Sequence, residues 1–455
     1  MRYTGLFLLP VCCLSACMKY LDKDPNPALS IPQTVQDYRA LMDNDLITDN
    51  STPGLGQLGS DDYMMSYAAW TGTDLIAHNA YIWQADVYGN EPAFPWSAPY
   101  QAIYYCNVVL DGLPGVAVHD SASLTEYNAV KGAALFTRAF QFYALEETFG
   151  QPYRAGSKDN DMGILLKLTS DAHQQVGRST VRQVYDRILD DARKAAALLP
   201  AQVQLFNRNR PCKPAAFALL SRAFLSMQEY DSAKIYADSS LHYYDKLASY
   251  DTVNAGATRP FPPGGNDEVL YQCSAVNFKA QYSTSSEVDT TLYKSYADND
   301  LRKTVFFKVA SSGTGHYFRG QYTGKAYLFS GLATDEVYLT RAECYARMGM
   351  VGEALSDLNA LLSRRWKTGT FQPYTASTAD EALAMILSER RKETLFRELR
   401  WADLRRLNQG PYFLRDTLRR ILNDSEYTLL PEDPRYTYPI PKEEIRLSGI
   451  EQNPR

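Results

Sequence analysis

Apolar residues recur at i, i+3 and i+4 spacing over ten stretches of the chain, which is the periodicity of helices with one buried face. The predicted helices cover 33–44, 97–111, 124–149, 179–198, 213–227, 230–246, 334–349, 351–364, 378–395 and 400–408. Stretches without helical periodicity lie between them, at 45–96, 150–178, 247–333 and 409–455. Because these stretches contain many aromatic residues, we expect ordered loops rather than disordered segments. The predicted fold class is therefore mainly α.

Two predicted helix pairs repeat each other in sequence. FALLSRAFLSMQEYDSAKIYADSSL (217–241) aligns with YLTRAECYARMGMVGEALSDLNALL (338–362). In both, a small residue precedes an alanine by 12 positions: Ser221 and Ala233 in the first, Ala342 and Ala354 in the second. This pattern resembles the tetratricopeptide helix pair, in which small residues allow two antiparallel helices to approach closely.

A third pair is predicted from VYDRILDDARKAAALLP (184–200), which has the pattern of a second helix and ends in proline. Its partner is ALFTRAFQFYALEETFG (134–150), with residues 151–178 inserted between the two helices. A stable stack needs about three such units. The three pairs therefore predict a helical scaffold whose faces bind other molecules.

The start of the chain, MRYTGLFLLPVCCLSAC, has the layout of a secretory signal, with Arg2, an apolar stretch and small residues before Cys17. LSAC (14–17) also resembles the bacterial lipobox, in which the peptidase cuts before a cysteine that then carries lipid. We predict a signal peptide over 1–16, lipidation of Cys17, and a polar, proline-rich tether over 17–32. An ordinary signal peptide cut nearby is the alternative. No later stretch has the roughly 18 apolar residues of a membrane span.

Charge and cysteine content narrow the class of protein. Removing residues 1–16 takes one basic residue from the 47 in the chain, against 52 acidic ones, and leaves a net charge of −6. This balance, without a basic stripe, argues against a nucleic-acid partner. Four cysteines remain besides Cys17, far apart and without C-x-x-C spacing, so we expect buried free thiols; disulfides are the alternative. They are Cys106, Cys212, Cys273 and Cys344.

Several motifs lack the context that their chemistry requires. GLGQLG (54–59) has the glycines of a dinucleotide loop but no strand before it or helix opening after it, so we expect a flexible loop. The five histidines show no metal-ligand spacing, and we predict neither metal nor cofactor. Glu146 and Glu147 point about 100° apart on a helix. We therefore expect a solvated face there rather than a pair of catalytic carboxylates.

The stretch SERRKETLFRELRWADLRR (388–406) has the highest density of charge in the chain. Its acidic and basic residues alternate at i, i+3 and i+4 spacing, which favours ion pairs along a helix over phosphate binding. Its apolar residues are expected to pack inward. They are Leu395, Phe396, Leu399, Trp401 and Leu404.

At this point the chain resembles a known family, the SusD/RagB-like outer-membrane lipoproteins that take part in nutrient uptake. The helix WSAPYQAIYYCNVVLDGL (96–113) is similar to the family's W-x₃-Y-x₂-I-x₃-N pattern. Other matching segments occur in the family's order over nearly the whole mature chain. They are KYLDKDP, TVQDYRALMDND, LFTRAFQFYALEETFGQPY, DEVYLTRAECYARMG, ERRKETLFRELRWADLRRL and YPIPKEEIRLSGIEQNP.

The resemblance implies a fold of tetratricopeptide-like pairs, with ligand-binding loops in a part spanning 33–250 and an irregular, loop-rich C-terminal part over 251–455. It also implies a binding protein without catalytic activity, anchored by lipid to the outer membrane and facing the cell exterior. Such a protein passes glycans, or in some branches peptides, to a SusC-like TonB-dependent transporter. Residues of the family-wide motifs are expected to be structural and not to contact ligand. They include Trp96, Arg400, Trp401 and Asp403.

Variable loops supply the ligand contacts in this family, so the candidates come from sugar chemistry. Aromatic rings pack against the apolar faces of sugars, and carboxylates and amides bond to the hydroxyls. The loops 60–84 and 277–296 combine both residue types, with Tyr67, Trp70 and Asp62 favoured. The full set of candidate ligand-binding residues is Asp62, Tyr67, Trp70, Tyr81, Tyr282 and Tyr293.

Two other classes of protein remain as alternatives. A tetratricopeptide scaffold lipoprotein of the envelope would bind only proteins, and an anchored polysaccharide-degrading enzyme would need a catalytic constellation. The aromatic loops and the C-terminal YPIPKEEI…QNP segment favour the glycan-binding class over the scaffold. No recognisable set of acid, base or metal ligands supports the enzyme.

Overall fold

The computed structural model describes residues 32–264, 266–282, 286–310, 313–409 and 417–455. The signal peptide, Cys17 and residues 18–31 lie outside the described residues. Each of the ten predicted helices is present, so the expected mainly α fold class is confirmed. No helix in the described part of the chain is long and apolar enough to cross a membrane.

In the described residues, ten long helices form the scaffold, and seven short ones lie in the stretches between them. The long helices are α1 Val35–Met42, α5 Phe94–Gly112, α6 Ser121–Phe149, α7 Val181–Leu198, α8 Lys213–Ser226, α9 Tyr230–Tyr243, α13 Thr334–Arg347, α14 Val351–Leu362, α15 Ala379–Glu393 and α16 Leu399–Leu407. The short ones are α2 Leu55–Gly59, α3 Tyr67–Thr71, α4 Leu75–Tyr81, α10 Lys279–Tyr282, α11 Thr290–Ser295, α12 Arg302–Val305 and α17 Lys442–Ser448.

Within the part of the chain that the structure describes, ten short strands pair as five separate two-stranded antiparallel ladders. The strands are β1 Tyr63–Met65, β2 Met162–Leu165, β3 Arg178–Thr180, β4 Val269–Tyr271, β5 Ser286–Val288, β6 Phe307–Val309, β7 His316–Phe318, β8 Leu332–Ala333, β9 Leu418–Leu422 and β10 Ser425–Leu429. The pairs are β1 with β5, β2 with β3, β4 with β8, β6 with β7, and β9 with β10. The stretches predicted as irregular therefore contain short regular elements.

One cluster of buried hydrophobic residues includes members from Val35 to Ile450. The division of the chain into two parts at residue 250 stays a prediction.

The repeated helix pairs pack as their small residues predict. Helix α8 packs on α9, and α13 packs on α14 and also on α9, so the two pairs stack. The Ser221 hydroxyl donates to the Ala233 carbonyl at 2.9 Å, which requires the close approach that small residues permit. In the second pair, Ala342 and Ala354 are fully buried.

The third pair is α6 with α7, and the β2–β3 ladder forms within the segment inserted between them. Arg138 on α6 makes a two-pronged ion pair with Asp191 on α7, at 2.8 and 3.0 Å. The same guanidinium donates to the Asn107 side chain on α5 at 2.9 Å. One buried arginine therefore fixes three helices relative to one another.

A connected network of nine buried charged side chains lies among α12, α13, α15 and the segments beside them. Arg365 contacts Glu268 and Glu393 at 2.7 Å each, and Arg302 contacts Asp300, Glu389 and Glu393. Arg397 and Lys392 add contacts to Asp335 and Glu389. The network holds five carboxylates and four cations, so one negative charge is in excess. Burial raises the pKa of Glu268 to about 7, although Arg365 opposes the shift.

The charged stretch 388–406 is correspondingly more buried than a surface helix would be. Its apolar residues pack inward as predicted, but Glu389, Arg390 and Glu393 are buried as well. The helical path also breaks between α15 and α16, where Phe396 and Glu398 adopt left-handed backbone conformations. Many of its ion pairs therefore reach other elements instead of running along one helix.

The glycine-rich segment GLGQLG is a buried helix, so the expected flexible loop is wrong. A Cβ on Gly56 would lie 2.9 Å from Cβ of Trp401, and one on Gly59 would lie 2.7 Å from the Trp401 ring. The carboxylate of Glu398 accepts hydrogen bonds from the backbone N–H groups of Gly54 and Gln57 at 2.9 and 3.3 Å. The glycines therefore allow α2 to lie directly on α16.

The expectation of a solvated face at Glu146 is also wrong. Its side chain is buried, and the carboxylate accepts a hydrogen bond from the Ile164 N–H at 3.1 Å. Burial raises the pKa of Glu146 well above its usual range, although Arg405 opposes the shift. A Cβ on Gly150 would collide with this side chain, and one on Gly163 would collide with Val184 and lie 3.1 Å from the Glu146 carboxylate, so the two glycines make room for it. The four cysteines are buried and free, as expected.

We predict that Arg365→Met lowers the free energy of unfolding by about 3–5 kcal/mol, because it leaves buried carboxylates without their cation. Urea unfolding of both proteins measures the difference. Arg419→Met serves as the control, since Arg419 forms an exposed pair with Glu426 and should change stability by less than about 0.5 kcal/mol. Equal effects of the two substitutions would contradict this role for the network.

The excess carboxylate also predicts a pH dependence. The pKa of Glu268 is about 7 in the folded protein, above the usual value of 4.5. The stability that the protonated carboxyl contributes is therefore complete below pH 4.5 and is lost as the pH rises through about 7. Glu268→Gln should flatten this part of the stability curve, measured by urea unfolding across the range. Glu426→Gln, which changes an exposed carboxylate, should retain the slope of the unsubstituted protein. An unchanged slope in Glu268→Gln would contradict the assignment.

Candidate functional site

The two loops predicted to hold ligand residues are joined by a strand pair. Strand β1 from the 60–84 loop pairs with β5 from the 277–296 loop, with Tyr63 opposite Val288 and Met65 opposite Ser286. The N–H of Asp289 donates to the Asp62 carbonyl at 2.9 Å and extends the pairing. Residues more than 200 positions apart in sequence thus border one cavity.

This cavity, which we call the loop cleft, has a volume of about 1010 Å³. Its walls come from the β1–α3 segment, from β5 and the residue after it, and from β9. The lining residues are Asp61, Tyr63, Met64, Met65, Ser66, Ala68, Ala69, Tyr81, Glu287, Asp289, Arg419, Arg420 and Ile421. The volume is in the upper range of small-molecule sites.

Arginine clamps fix the acidic end of the loop cleft. Arg400 donates to both oxygens of Asp61 at 2.6 and 2.7 Å, and Arg391 lies 3.1 Å from the same carboxylate. Burial alone would raise the pKa of Asp61, but the two guanidinium groups outweigh it and hold that pKa below its usual range. The neighbouring Asp62 is buried beside Gln57, and burial raises its pKa. Asp61, rather than the predicted Asp62, therefore lines the cleft.

A stacked arginine supports the floor of the loop cleft. The guanidinium of Arg420 lies 3.4 Å from the ring centre of Tyr81 and 4.9 Å from that of Trp83, and donates to the Ser60 carbonyl. The hydroxyl of Tyr81 accepts a hydrogen bond from the Met65 N–H at 2.8 Å. The predicted ligand residue Tyr81 is thus a buried support whose hydroxyl is already bonded.

Among the predicted aromatic residues whose side chains the structure describes, Tyr67 is the most exposed, with 48% of its surface accessible. It lies on α3 between the lining residues Ser66 and Ala68, at the border of the cleft. Trp70, one helical turn further on, is only 7% exposed. Its ring stacks on His78 at 3.8 Å, and its indole N–H donates to the His78 carbonyl. Tyr67 can therefore present a ring face to a ligand, while Trp70 supports the helix beneath it.

The predicted tyrosines of the second loop lie on short helices. Tyr293 is half-buried on α11, which begins directly after the lining residue Asp289, and its ring stacks on His316 at 3.7 Å. Tyr282 ends α10, and its side chain lies outside the described part of the structure. Tyr293 therefore lies on the helix that follows the cleft wall but is not among the residues that line the cleft, so its role in binding stays a prediction.

A second cavity of about 670 Å³, which we call the helix groove, lies along the exposed face of α5. Phe94, Ser97, Gln101 and Tyr104 line it at i, i+3, i+7 and i+10 of the helix, which is one continuous face. This site is not among those predicted from the sequence, because the motif around Trp96 indicates a structural role. Trp96 is indeed buried, whereas Ser97, Gln101 and Tyr104 are exposed on another face of the same helix. That helical phase is visible in the sequence.

Three carboxylates of the charge network come close enough to resemble a metal site. Ligand atoms of Glu268, Asp335 and Glu393 lie within 4.8 Å of one another. Arg365 and Arg397 already contact these carboxylates, so their charge is largely neutralised without an ion. The arrangement fits a structural ion-pair network better than a metal centre.

Comparison with protein families identifies two matching regions. Residues 19–225 match the family SusD-like_3, described as starch-binding and associating with the outer membrane. Residues 276–455 match the SusD_RagB model, described as the SusD family. A relative, SusD-like protein P2 of Formosa agariphila, is 25% identical over 347 residues. That alignment covers 62% of this chain and 66% of the relative.

Solved structures with the same fold cover almost the whole chain. A SusD superfamily protein from Bacteroides thetaiotaomicron superimposes with a TM-score of 0.74 at 23% identity, covering 93% of this chain and 100% of that one. A SusD-like carbohydrate binding protein from Bacteroides vulgatus gives a TM-score of 0.69 at 19% identity, covering 92% and 97%. The family matches leave only residues 1–18 and 226–275 unmatched. The chain therefore belongs to the SusD/RagB family.

Proposed function

We propose that the protein is a cell-surface lipoprotein that binds glycans in the loop cleft and passes them to a SusC-like TonB-dependent transporter. The observation that carries the proposal is the pairing of β1 with β5, which joins two aromatic loops around one cavity. Family membership and the carbohydrate-binding relative support the same class of ligand.

The chemistry of the loop cleft suits a hydroxyl-rich ligand. Tyr67 offers a ring face for the apolar side of a sugar, and Met64 adds exposed apolar surface. Asp61, Asp289 and Arg419 provide acceptors and donors at the cavity wall. Sites that combine apolar area with a few fixed polar groups are typical of small-molecule binding. The arginine clamps on Asp61 hold this wall in place before ligand arrives, which reduces the entropy cost of binding.

The same proposal places the protein on the outer membrane, anchored through Cys17 and facing the cell exterior. A diacylated or triacylated cysteine gives firm anchoring without a membrane span, because more than one acyl chain is buried. The role is binding and delivery without catalysis, and the partner transporter follows from the family resemblance. Peptide uptake is the second ligand class, and the binding test below distinguishes it.

We predict that Tyr67→Ala weakens glycan binding by roughly three- to tenfold, because it removes the exposed ring beside the cleft. Calorimetric titration against linear oligosaccharides and against peptides measures the effect. Phe206→Ala is the matched control, since Phe206 is 98% exposed and lines neither cavity. Its affinity should equal that of the unsubstituted protein.

The outcomes separate the candidate functions. Glycan binding that is weakened by Tyr67→Ala supports the loop cleft. Glycan binding that is indifferent to Tyr67→Ala, and equally to Tyr293→Ala, would move the site elsewhere. Binding of peptides alone would assign the protein to peptide uptake and contradict the proposed ligand.

We also predict that Cys17→Ser abolishes lipid attachment and releases the protein from the membrane fraction. Metabolic labelling with a fatty acid, followed by fractionation of the cells, measures both effects. Cys13→Ser is the matched control, because that cysteine leaves with the predicted signal peptide and its variant should keep the label. Label retained in Cys17→Ser would contradict the lipid anchor.

A further inference from the structure

The helix groove is separate from the loop cleft, and no residue lines both cavities. One wall is the exposed face of α5, and the opposite wall is the segment 165–175 with the end of α17. Its volume of about 670 Å³ lies within the range of roughly 300–1,000 Å³ that is usual for ligand sites. The groove is thus large enough for a ligand of its own.

The floor of the groove is fixed by interactions within the protein. The Trp96 indole N–H donates to the Glu444 carboxylate on α17 at 3.2 Å, and its ring lies 4.8 Å from Tyr100 and 5.0 Å from Phe149. The Tyr100 hydroxyl donates to the Leu165 carbonyl and accepts from the Leu165 N–H. These contacts tie α5 to both other walls, so the groove is formed before any ligand binds.

The rim of the groove combines exposed rings with amide side chains. Phe94 is 60% exposed and Tyr104 45% exposed, both on the lining face of α5. The exposed amides of Gln101, Gln174 and Gln175 lie along the same cavity. An amide both donates and accepts hydrogen bonds, which matches the dual character of a sugar hydroxyl. Rings and amides together suit the apolar and hydroxylated faces of pyranoses.

We propose that the helix groove is a second binding site, which takes a neutral oligosaccharide independently of the loop cleft. Lys167, Asp171 and Glu444 are the charged residues of its lining, with a net charge of −1, so the groove disfavours polyanionic glycans. The amides of Gln101 and Gln175 need hydrogen-bond partners in a bound ligand, because covering them without partners costs free energy. The hydroxyl groups along an oligosaccharide supply such partners.

Calorimetric titration with malto-, cello-, xylo- and mannohexaose tests this site in the full protein and in Tyr104→Ala. We expect Tyr104→Ala to weaken the groove's binding event by roughly tenfold, and Tyr104→Phe to leave it within roughly twofold, because stacking needs the ring and not the hydroxyl. Tyr67→Ala should leave this event unchanged. Thermal unfolding of each variant verifies that the substitutions at these exposed positions preserve the fold.

The groove and the loop cleft can fail separately in this experiment. Weaker binding in Tyr104→Ala supports the groove, whatever the effect of Tyr67→Ala. Unchanged binding in Tyr67→Ala counts against the loop cleft and not against the groove. Unchanged binding in Tyr104→Ala, or the absence of binding to every hexaose at millimolar concentration, overturns the proposal. Backbone amide hydrogen exchange in residues 94–107 of the protein gives a second readout, since a bound hexaose should slow this exchange. Protection by peptides and by none of the hexaoses would also overturn the assignment.

Discussion

The burial of nine charged side chains in one network is the constraint on which the arrangement of this protein depends. Each ion costs several kcal/mol to remove from water, so the loss of any one partner destabilises the folded state. The contributing residues come from α12, α13, α15 and the segments around β4 and Arg397, which are distant in sequence. The network therefore fixes the helical pairs and the loop-rich part as one body. Arg391 lies on α15, the helix that also supplies Glu389 and Glu393 to the network. Its contact with Asp61 connects the network to the wall of the loop cleft.

Most of the aromatic residues pack in the interior, so only a few rings are exposed and available to form binding surfaces. Tyr81, Trp83 and Tyr63 surround Arg420, and Trp401 lies against the glycines of α2. A ring that is enclosed on both faces cannot stack on a ligand, however well its residue type suits sugars. The accessible rings next to the two cavities are Tyr67 on α3 and Phe94 and Tyr104 on α5. Exposure, rather than aromatic content, therefore decides which tyrosine is available to a ligand.

The sequence predicts the long helices well because their periodicity is a local property. The apolar face that it defines is the face that packs in the core. It predicts poorly where a long-range contact decides the outcome. Glu146 has the pattern of a surface residue, yet Gly150 and Gly163 leave space for its carboxylate in the interior. GLGQLG resembles a loop, yet its glycines are needed because Trp401, more than 340 positions later, lies against them. At the site, the two loops were identified by composition, but whether Trp70 or Tyr67 faces outward depends on how α3 packs on His78.

The two cavities rest on different supports, and this has a consequence for specificity. The loop cleft is held by arginine clamps from α15 and α16, whereas the groove is held by α5, which Arg138 locks to α6 and α7. Tyr67, Phe94 and Tyr104 project from these supports without taking part in the buried networks. Substitution of an exposed ring therefore changes the surface offered to a ligand while the elements beneath it remain fixed. Because the supports are separate, either surface can change its ligand preference while the fold and the other surface stay as they are.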